Sequence, residues 1–381
     1  MNILVVGLVD SIHLARWLSQ FSNLNYVFWV FPSKKFKGMH PDLIELLKSH
    51  PSIFRLAERK HRHFLRIYGY LDFIHILLAF RLNFFSRANR LTLLLRENHF
   101  DLIHAIEFQG AAYLLEDISK KMEIAPRIIV TNYGSDIVFF AKKEEHRQKI
   151  VKVLQIADYY SAECERDYVL ATELGFNGTF LPCIPNAGGF PLNSVSTFEV
   201  QASKRKVILV KSIGETFGLG AVSLKAISIF MKVNTEYEVC LYSVTNDLLQ
   251  QATELKRSHP GRVEIITRSQ KLSRQALLDK FSRSRVYLGC SASDGISTSF
   301  LESIIYGAYP IQTNTSCAEE WISKGFIGST PKPSVEEILN ELFKTTSDKL
   351  VDNAQEINQR LALRYLSEEV ILKSALTFYE I

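Results

Sequence analysis

Short apolar runs alternate with longer amphipathic stretches along this chain. Residues 3–6, 26–31, 102–105, 127–131 and 159–162 read as strands, and 11–21, 111–121 and 147–157 as helices. The strand runs are mainly apolar and bounded by turn residues, as expected when a parallel sheet is covered on both faces. The pattern breaks at 182–191, where Pro182, Pro185, Gly188, Gly189 and Pro191 crowd together, and 194–203 is mostly polar. This is the best linker in the chain. Alternation then restarts, with strands at 206–211, 238–243, 263–267, 286–289 and 309–313 and helices at 219–232, 276–284 and 299–306. From 335 to the end the pattern is helical. Two alternating blocks predict two α/β sheets joined by a hinge, with ligands beyond the carboxyl ends of the strands and the cleft between domains as the expected site.

Composition supports a globular reading. The chain has 381 residues, 47% hydrophobic and 22% charged, which excludes a disordered or collagen-like chain. Its five cysteines, Cys164, Cys183, Cys240, Cys290 and Cys317, form no CxxC and flank no histidine at metal-ligand spacing. A disulfide framework or zinc site is therefore not expected, and a reducing cytosol fits. The start of the chain lacks a basic n-region, and Asp10 interrupts its apolar run, so it reads as a buried strand rather than a signal peptide. The longest apolar stretch, 71–80, contains Asp72 and His75 and is too short to span a bilayer.

Charge changes the picture in one place. The whole chain carries +5, but residues 55–96 alone carry +7. Arg55, Arg59, Lys60, Arg62, Arg66, Arg81, Arg87, Arg90 and Arg96 face only Glu58 and Asp72, among seven aromatics that include Phe64, Tyr68, Phe80 and Phe84. Such a segment suits a helix lying on an anionic membrane surface. It equally suits a helix that buries its aromatics in the first domain and solvates its arginines. Nucleic-acid binding has no accompanying motif, and none is expected.

The chemistry concentrates at 291–302. After the strand at 286–289, Gly295 permits a tight turn, and Ser297, Thr298 and Ser299 open a helix. Hydroxyls and backbone N–H groups at a helix start suit a phosphate. Asp294 on the approach and Glu302 one turn into the helix are placed to accept hydrogen bonds from sugar or ribose hydroxyls. The same residues permit a plainer account. Ser299 and Glu302 have the spacing of a capping box, and Asp294 suits a turn.

This segment, continued by Gly307 to Ile311, resembles the donor-site motif of the retaining glycosyltransferase family 4. That motif is an acidic residue, seven spacers and a glutamate, here Asp294 and Glu302, with aspartate in place of the usual first glutamate. Gly7 and residues 11–17 resemble the family's N-terminal glycine loop and helix. Tyr133, Gly134, Ser135 and Asp136 resemble its His-Gly-x-Asp loop, and residues 185–189 the stretch before its linker. The resemblance implies an α/β GT-B fold: two Rossmann-like domains with parallel sheets facing a deep interdomain cleft. The expected divisions are an acceptor domain at 1–190, a linker at 191–204 and a donor domain at 205–364. A C-terminal helix at about 365–381 would return to the first domain.

By the same resemblance, Asp294 contacts the transferred sugar and Glu302 the nucleotide ribose. Gly295, Ile296, Ser297, Thr298 and Ser299 surround the diphosphate with Lys211, and Gly7 lines the site. His13 and Asp136 are candidate catalytic residues from the first domain. Each has a plainer alternative: a structural histidine, a turn or cap acid, and for Lys211 a solvated strand-end lysine. Two features depart from the family. Phe217 stands at the usual position of a second cation, for which Arg268 is a candidate substitute, and Tyr133 replaces the histidine. The implied activity moves a hexosyl or N-acetylhexosaminyl group, with retention, from a nucleotide-diphosphate sugar to a glycan or lipid-linked acceptor in bacterial surface polysaccharide assembly. The enzyme would be cytoplasmic or peripheral at the inner face of the plasma membrane. No metal or other cofactor is expected, and no Asp-x-Asp motif is present. A non-catalytic nucleotide-sugar-binding scaffold, or an epimerase or hydrolase of the same fold, are the alternatives.

Overall fold

The computed structural model describes residues 1–57, 86–119, 126–192, 200–214, 217–270 and 272–381. Most of the basic segment (58–85) and part of the expected linker (193–199) lie outside the described residues. The chain divides into two compact units, Met1–Gly188 with Leu372–Ile381, and Gly189–Ile371.

The first unit is built on a sheet of β1 (Asn2–Gly7), β2 (Val27–Pro32), β3 (Phe54–Leu56), β4 (Leu102–Ile106), β5 (Arg127–Thr131), β6 (Tyr159–Ser161) and β7 (Thr179–Phe180). Its order is β3-β2-β1-β4-β5-β6-β7, and every pairing is parallel. The chain begins at the centre and winds outward in both directions. Connections therefore reverse between β1 and β4, which opens a crevice at the carboxyl ends of those strands.

The second unit repeats the plan with β8 (Val207–Lys211), β9 (Glu238–Val244), β10 (Val263–Thr267), β11 (Ser284–Gly289) and β12 (Tyr309–Gln312). The order is β10-β9-β8-β11-β12, again parallel, and the reversal falls between β8 and β11. Strand periodicity explains the runs of apolar residues. Ile208 and Val210 enter one layer with Leu224, Ile227 and Phe230, while Leu209 and Tyr287 enter the other with Phe281, Phe300 and Ile304. Both faces of these central strands are core, which is why their middle positions are apolar on either side.

Residues Leu372–Ile381 are tied to the first unit by a buried polar chain. Trp17 Nε1 donates to the Tyr379 hydroxyl at 2.9 Å, and that hydroxyl lies 2.9 Å from His104 Nδ1. His104 Nε2 is 2.6 Å from Thr131 Oγ1, which meets Ser161 Oγ at 2.6 Å. Trp17 also packs against Phe378, and Phe21 and Phe28 against the Tyr379 ring. Burial pushes the His104 imidazole down to about 3, so it is neutral and relays hydrogen bonds rather than charge.

Several elements differ from the sequence pattern. Helices Pro41–Ser49, Arg87–Glu97, Glu165–Glu173 and Leu249–Ser258 are additional to those read from periodicity. The helix expected from 111 begins instead as a π-helix, Phe108–Ala112, continued by Tyr113–Ser119. Beyond 335 the chain forms three helices, Val335–Lys344, Asp348–Leu366 and Glu368–Leu376. Among the described residues, no helix is long and apolar enough to cross a membrane.

Candidate functional site

In the second unit the loops leaving β8 and β11 are joined. Ala292 N–H donates to Phe217 O at 2.7 Å, Leu219 N–H donates to Cys290 O at 3.2 Å, and Gly218 bridges Ser291. Two glycines allow the tight path of the β8 loop itself. A Cβ on Gly214 would collide with the Asp247 carboxylate, and one on Gly218 with the Ile213 carbonyl. The joined loops deliver the chain into helix Thr298–Ile305, the element expected to receive a diphosphate.

That helix starts at the expected place but not by a capping box. Ser297 is the N-cap residue, its side chain caps nothing, and the first turn holds no acid. The Ser299 hydroxyl instead accepts a hydrogen bond from Tyr242 of β9 at 2.8 Å, which pins the first turn to the sheet. Ile296 is buried in the core, so only its backbone is open to a ligand. Ser291 and Ser297 carry buried hydroxyls with no protein hydrogen-bond partner among the described residues. A buried unsatisfied hydroxyl is costly unless a ligand completes it. The positive end of the helix dipole and these hydroxyls together have the chemistry that suits an anion.

Glu302 is 2% exposed. Its Oε1 pairs with Arg274 Nη1 at 2.8 Å. Asp294 and Thr298 are partly exposed, Gly295 is buried, and Lys211 ends β8 half-buried. The unit thus gathers Asp294, the 295–299 turn, Glu302 and Lys211 around the reversal between β8 and β11. Arg274 is the residue that sequence reading missed. Its one signal was a cation in the first turn of a helix, against the dipole.

The first unit gathers a second set at its own reversal. Gly7 ends β1, and a Cβ there would lie 3.3 Å from both Leu14 methyls, so helix Ile12–Ser19 approaches closely. His13 from that helix meets Tyr133 edge-on, with ring centroids 6.0 Å apart. Asp136 Oδ2 accepts the N–H groups of Phe108 at 3.0 Å and Tyr133 at 2.9 Å. The Tyr133 hydroxyl is buried and has no hydrogen-bond partner among the described residues. Burial pushes its phenol up, and the neighbouring Glu163, Glu107 and Asp136 carboxylates push it further.

Glu107 was not singled out by sequence, yet it is the most unusual residue of this set. It is a non-glycine residue at φ 82°, and it stands at the N-cap of the π-helix. Strained backbone and π-turns concentrate at functional sites. Its carboxylate accepts N–H groups of Gly110 at 2.8 Å and Ala111 at 2.7 Å, and Lys34 Nζ lies 4.0 Å away. Burial nonetheless raises its carboxyl, opposed by Lys34 and those N–H groups. Asp136 is raised well above the aspartate range by burial and then by Glu107.

Two parallel doubly-wound units, each with its polar residues at the strand reversal, are the GT-B fold of glycosyltransferases. Residues 2–159 match the family model described as glycosyl transferase 4-like. Solved structures align along the entire chain. HepE of Anabaena in complex with UDP-glucose is 13% identical, with 100% of both chains covered and a TM-score of 0.70. The lipopolysaccharide outer core galactosyltransferase WaaB, apo form, is 14% identical with 100% of both chains covered and a TM-score of 0.68. A UDP-N-acetylglucosamine 2-epimerase is 14% identical, with 100% of this chain and 96% of the other covered and a TM-score of 0.59. Among proteins with curated functions, none matches the chain in sequence.

Proposed function

We propose that this protein transfers a glycosyl group from a nucleotide-diphosphate sugar to a hydroxyl of a glycan or lipid-linked acceptor, with retention of configuration. One observation carries the reading. At the β8/β11 reversal an uncapped helix start, flanked by two unsatisfied buried serine hydroxyls, stands one turn before the buried carboxylate of Glu302. That arrangement suits a diphosphate followed by a ribose. UDP-glucose in the Anabaena HepE structure supports a nucleotide-sugar donor for the shared fold.

In this reading Ser297, Thr298 and the 295–299 backbone hold the diphosphate with Lys211, and Asp294 orients the transferred sugar. Stabilising the leaving diphosphate at a prearranged helix start supplies most of the catalysis. The first unit serves the acceptor, with His13 and Tyr133 gathered at its own strand reversal and Asp136 accepting the Tyr133 N–H. The basic segment 55–96 brings the enzyme to an anionic membrane surface where a lipid-linked acceptor resides.

The test is transfer by the purified chain. Asp294→Ala and Glu302→Ala are expected to abolish it while the fold is retained, and full activity in both overturns the site. A thermal-shift screen against UDP-, GDP-, ADP- and CMP-sugars identifies the donor class. An epimerase or hydrolase of this fold is the second reading, because a UDP-N-acetylglucosamine 2-epimerase shares the fold. Conversion of donor without acceptor would select it.

A further inference from the structure

The pairing of Glu302 with Arg274 joins two helices and satisfies a need that neither helix has alone. Glu302 lies in the interior of Thr298–Ile305 at 2% exposure, where an unpaired carboxylate is strongly disfavoured. Arg274 is the first residue of helix Arg274–Arg283, whose N-cap Ser273 accepts the Ala276 N–H at 3.2 Å. A cation there opposes the helix dipole, and no acid in the first turn offsets it. Arg274 is therefore poorly placed for its own helix and well placed for Glu302. The Nη1–Oε1 separation of 2.8 Å is that of a charge-assisted hydrogen bond. Tyr306, one turn beyond Glu302, feels the charges of both partners.

A guanidinium differs from an ammonium in this position. The structure shows a bond from Nη1 to Oε1, and a planar guanidinium gives that bond a defined direction, whereas a lysine supplies charge without direction. We infer that Arg274 is a positioning residue for donor binding: it holds the Glu302 carboxylate oriented to accept hydrogen bonds from the nucleotide's ribose hydroxyls. The inference rests on the donor-site reading above and goes beyond it by naming the residue that makes Glu302 competent.

The experiment separates ribose recognition from general damage. Calorimetry measures binding of UDP, GDP, ADP and CDP, and of their 2′-deoxy counterparts, to the full chain and to Arg274→Gln, Arg274→Lys and Glu302→Gln. The wild type should prefer the tightest-binding ribonucleotide over its 2′-deoxy form by about tenfold, the size of one hydrogen bond to a charged group. Arg274→Gln should reduce that preference to less than about threefold, with 2′-deoxy affinity near wild type, and Arg274→Lys should fall between. Equal losses for both nucleotides, or an unchanged preference in Arg274→Gln, overturn the inference. If Arg274→Gln fails to fold, an unchanged preference in Arg274→Lys does so. Glu302→Gln distinguishes the two levels of the argument. A preference retained there sinks the ribose reading itself, whereas one lost there but kept in both Arg274 variants sinks only the role of Arg274. Failure of the wild type to bind any of the nucleotides overturns both.

Discussion

Asp136 accepts the backbone N–H of Phe108 at 3.0 Å, tying the turn after β5 to the turn after β4. With its second bond to Tyr133 N–H it holds the two loops that carry Glu107 and Tyr133. Asp136→Ala would orphan two buried N–H groups, at about 1–3 kcal/mol each. We expect a loss of about 2–4 kcal/mol in the unfolding transition of the first unit, followed by urea titration. Asp136→Asn retains an acceptor oxygen and should lose less. Equal losses in the two variants would show that the carboxyl oxygens do not hold these loops.

The raised Glu107 and Asp136 carboxyls predict a direction of pH dependence. The native pair binds protons more tightly than the unfolded chain does, so between the ordinary carboxyl range and the raised native values the folded state holds the extra proton. Their contribution to stability therefore falls as pH rises through that window and recovers as pH is lowered. Asp136→Asn removes one titrating group. Stability of the wild type relative to Asp136→Asn should improve as pH drops from about 7 toward about 4.5, above the usual aspartate pKa of about 3.9. A difference that stays flat or reverses would contradict the raised carboxyls.

How much of this was legible in the sequence depends on what holds each part. The parallel sheets were legible because strands such as 207–211 are apolar on both faces, which follows directly from the layers above and below them. β3 and β7, at three and two residues, are too short to leave a period. The helix start at Ser297 was legible from its hydroxyls and glycine, but its wiring was not. Tyr242 engages Ser299 across 57 residues and Arg274 engages Glu302 across 28, and no local spacing encodes either. Glu107 left no trace because a positive φ is readable at glycine and silent at glutamate.

Tyr379 stands between Trp17 and His104, both buried. Tyr379→Phe keeps the ring contacts and removes one hydroxyl, leaving the Trp17 N–H and His104 Nδ1 without their partner. A cost of about 1–3 kcal/mol follows for the buried groups left unsatisfied. Hydrogen exchange should then show faster opening of Leu372–Ile381, with the second unit's core unaffected. If the second unit's core exchanges equally fast, the effect is global rather than a local release of the tail.

Ser297 separates a structural from a functional account of the helix start. An N-cap serine normally satisfies an N–H of its own helix, and replacing it with alanine costs about 1 kcal/mol. Here the side chain caps nothing, and its hydroxyl is buried without a partner. Removing an unsatisfied buried hydroxyl should be neutral or slightly stabilising in the ligand-free protein, within about 0.5 kcal/mol. With nucleoside diphosphate present the same change should weaken binding by several-fold to about tenfold, because the phosphate loses a donor. Ser297→Ala should thus leave the ligand-free melting temperature in place and shrink only the nucleotide-induced shift. An ordinary N-cap penalty without ligand, with the nucleotide shift intact, would make Ser297 part of the scaffold and leave the phosphate to the backbone alone.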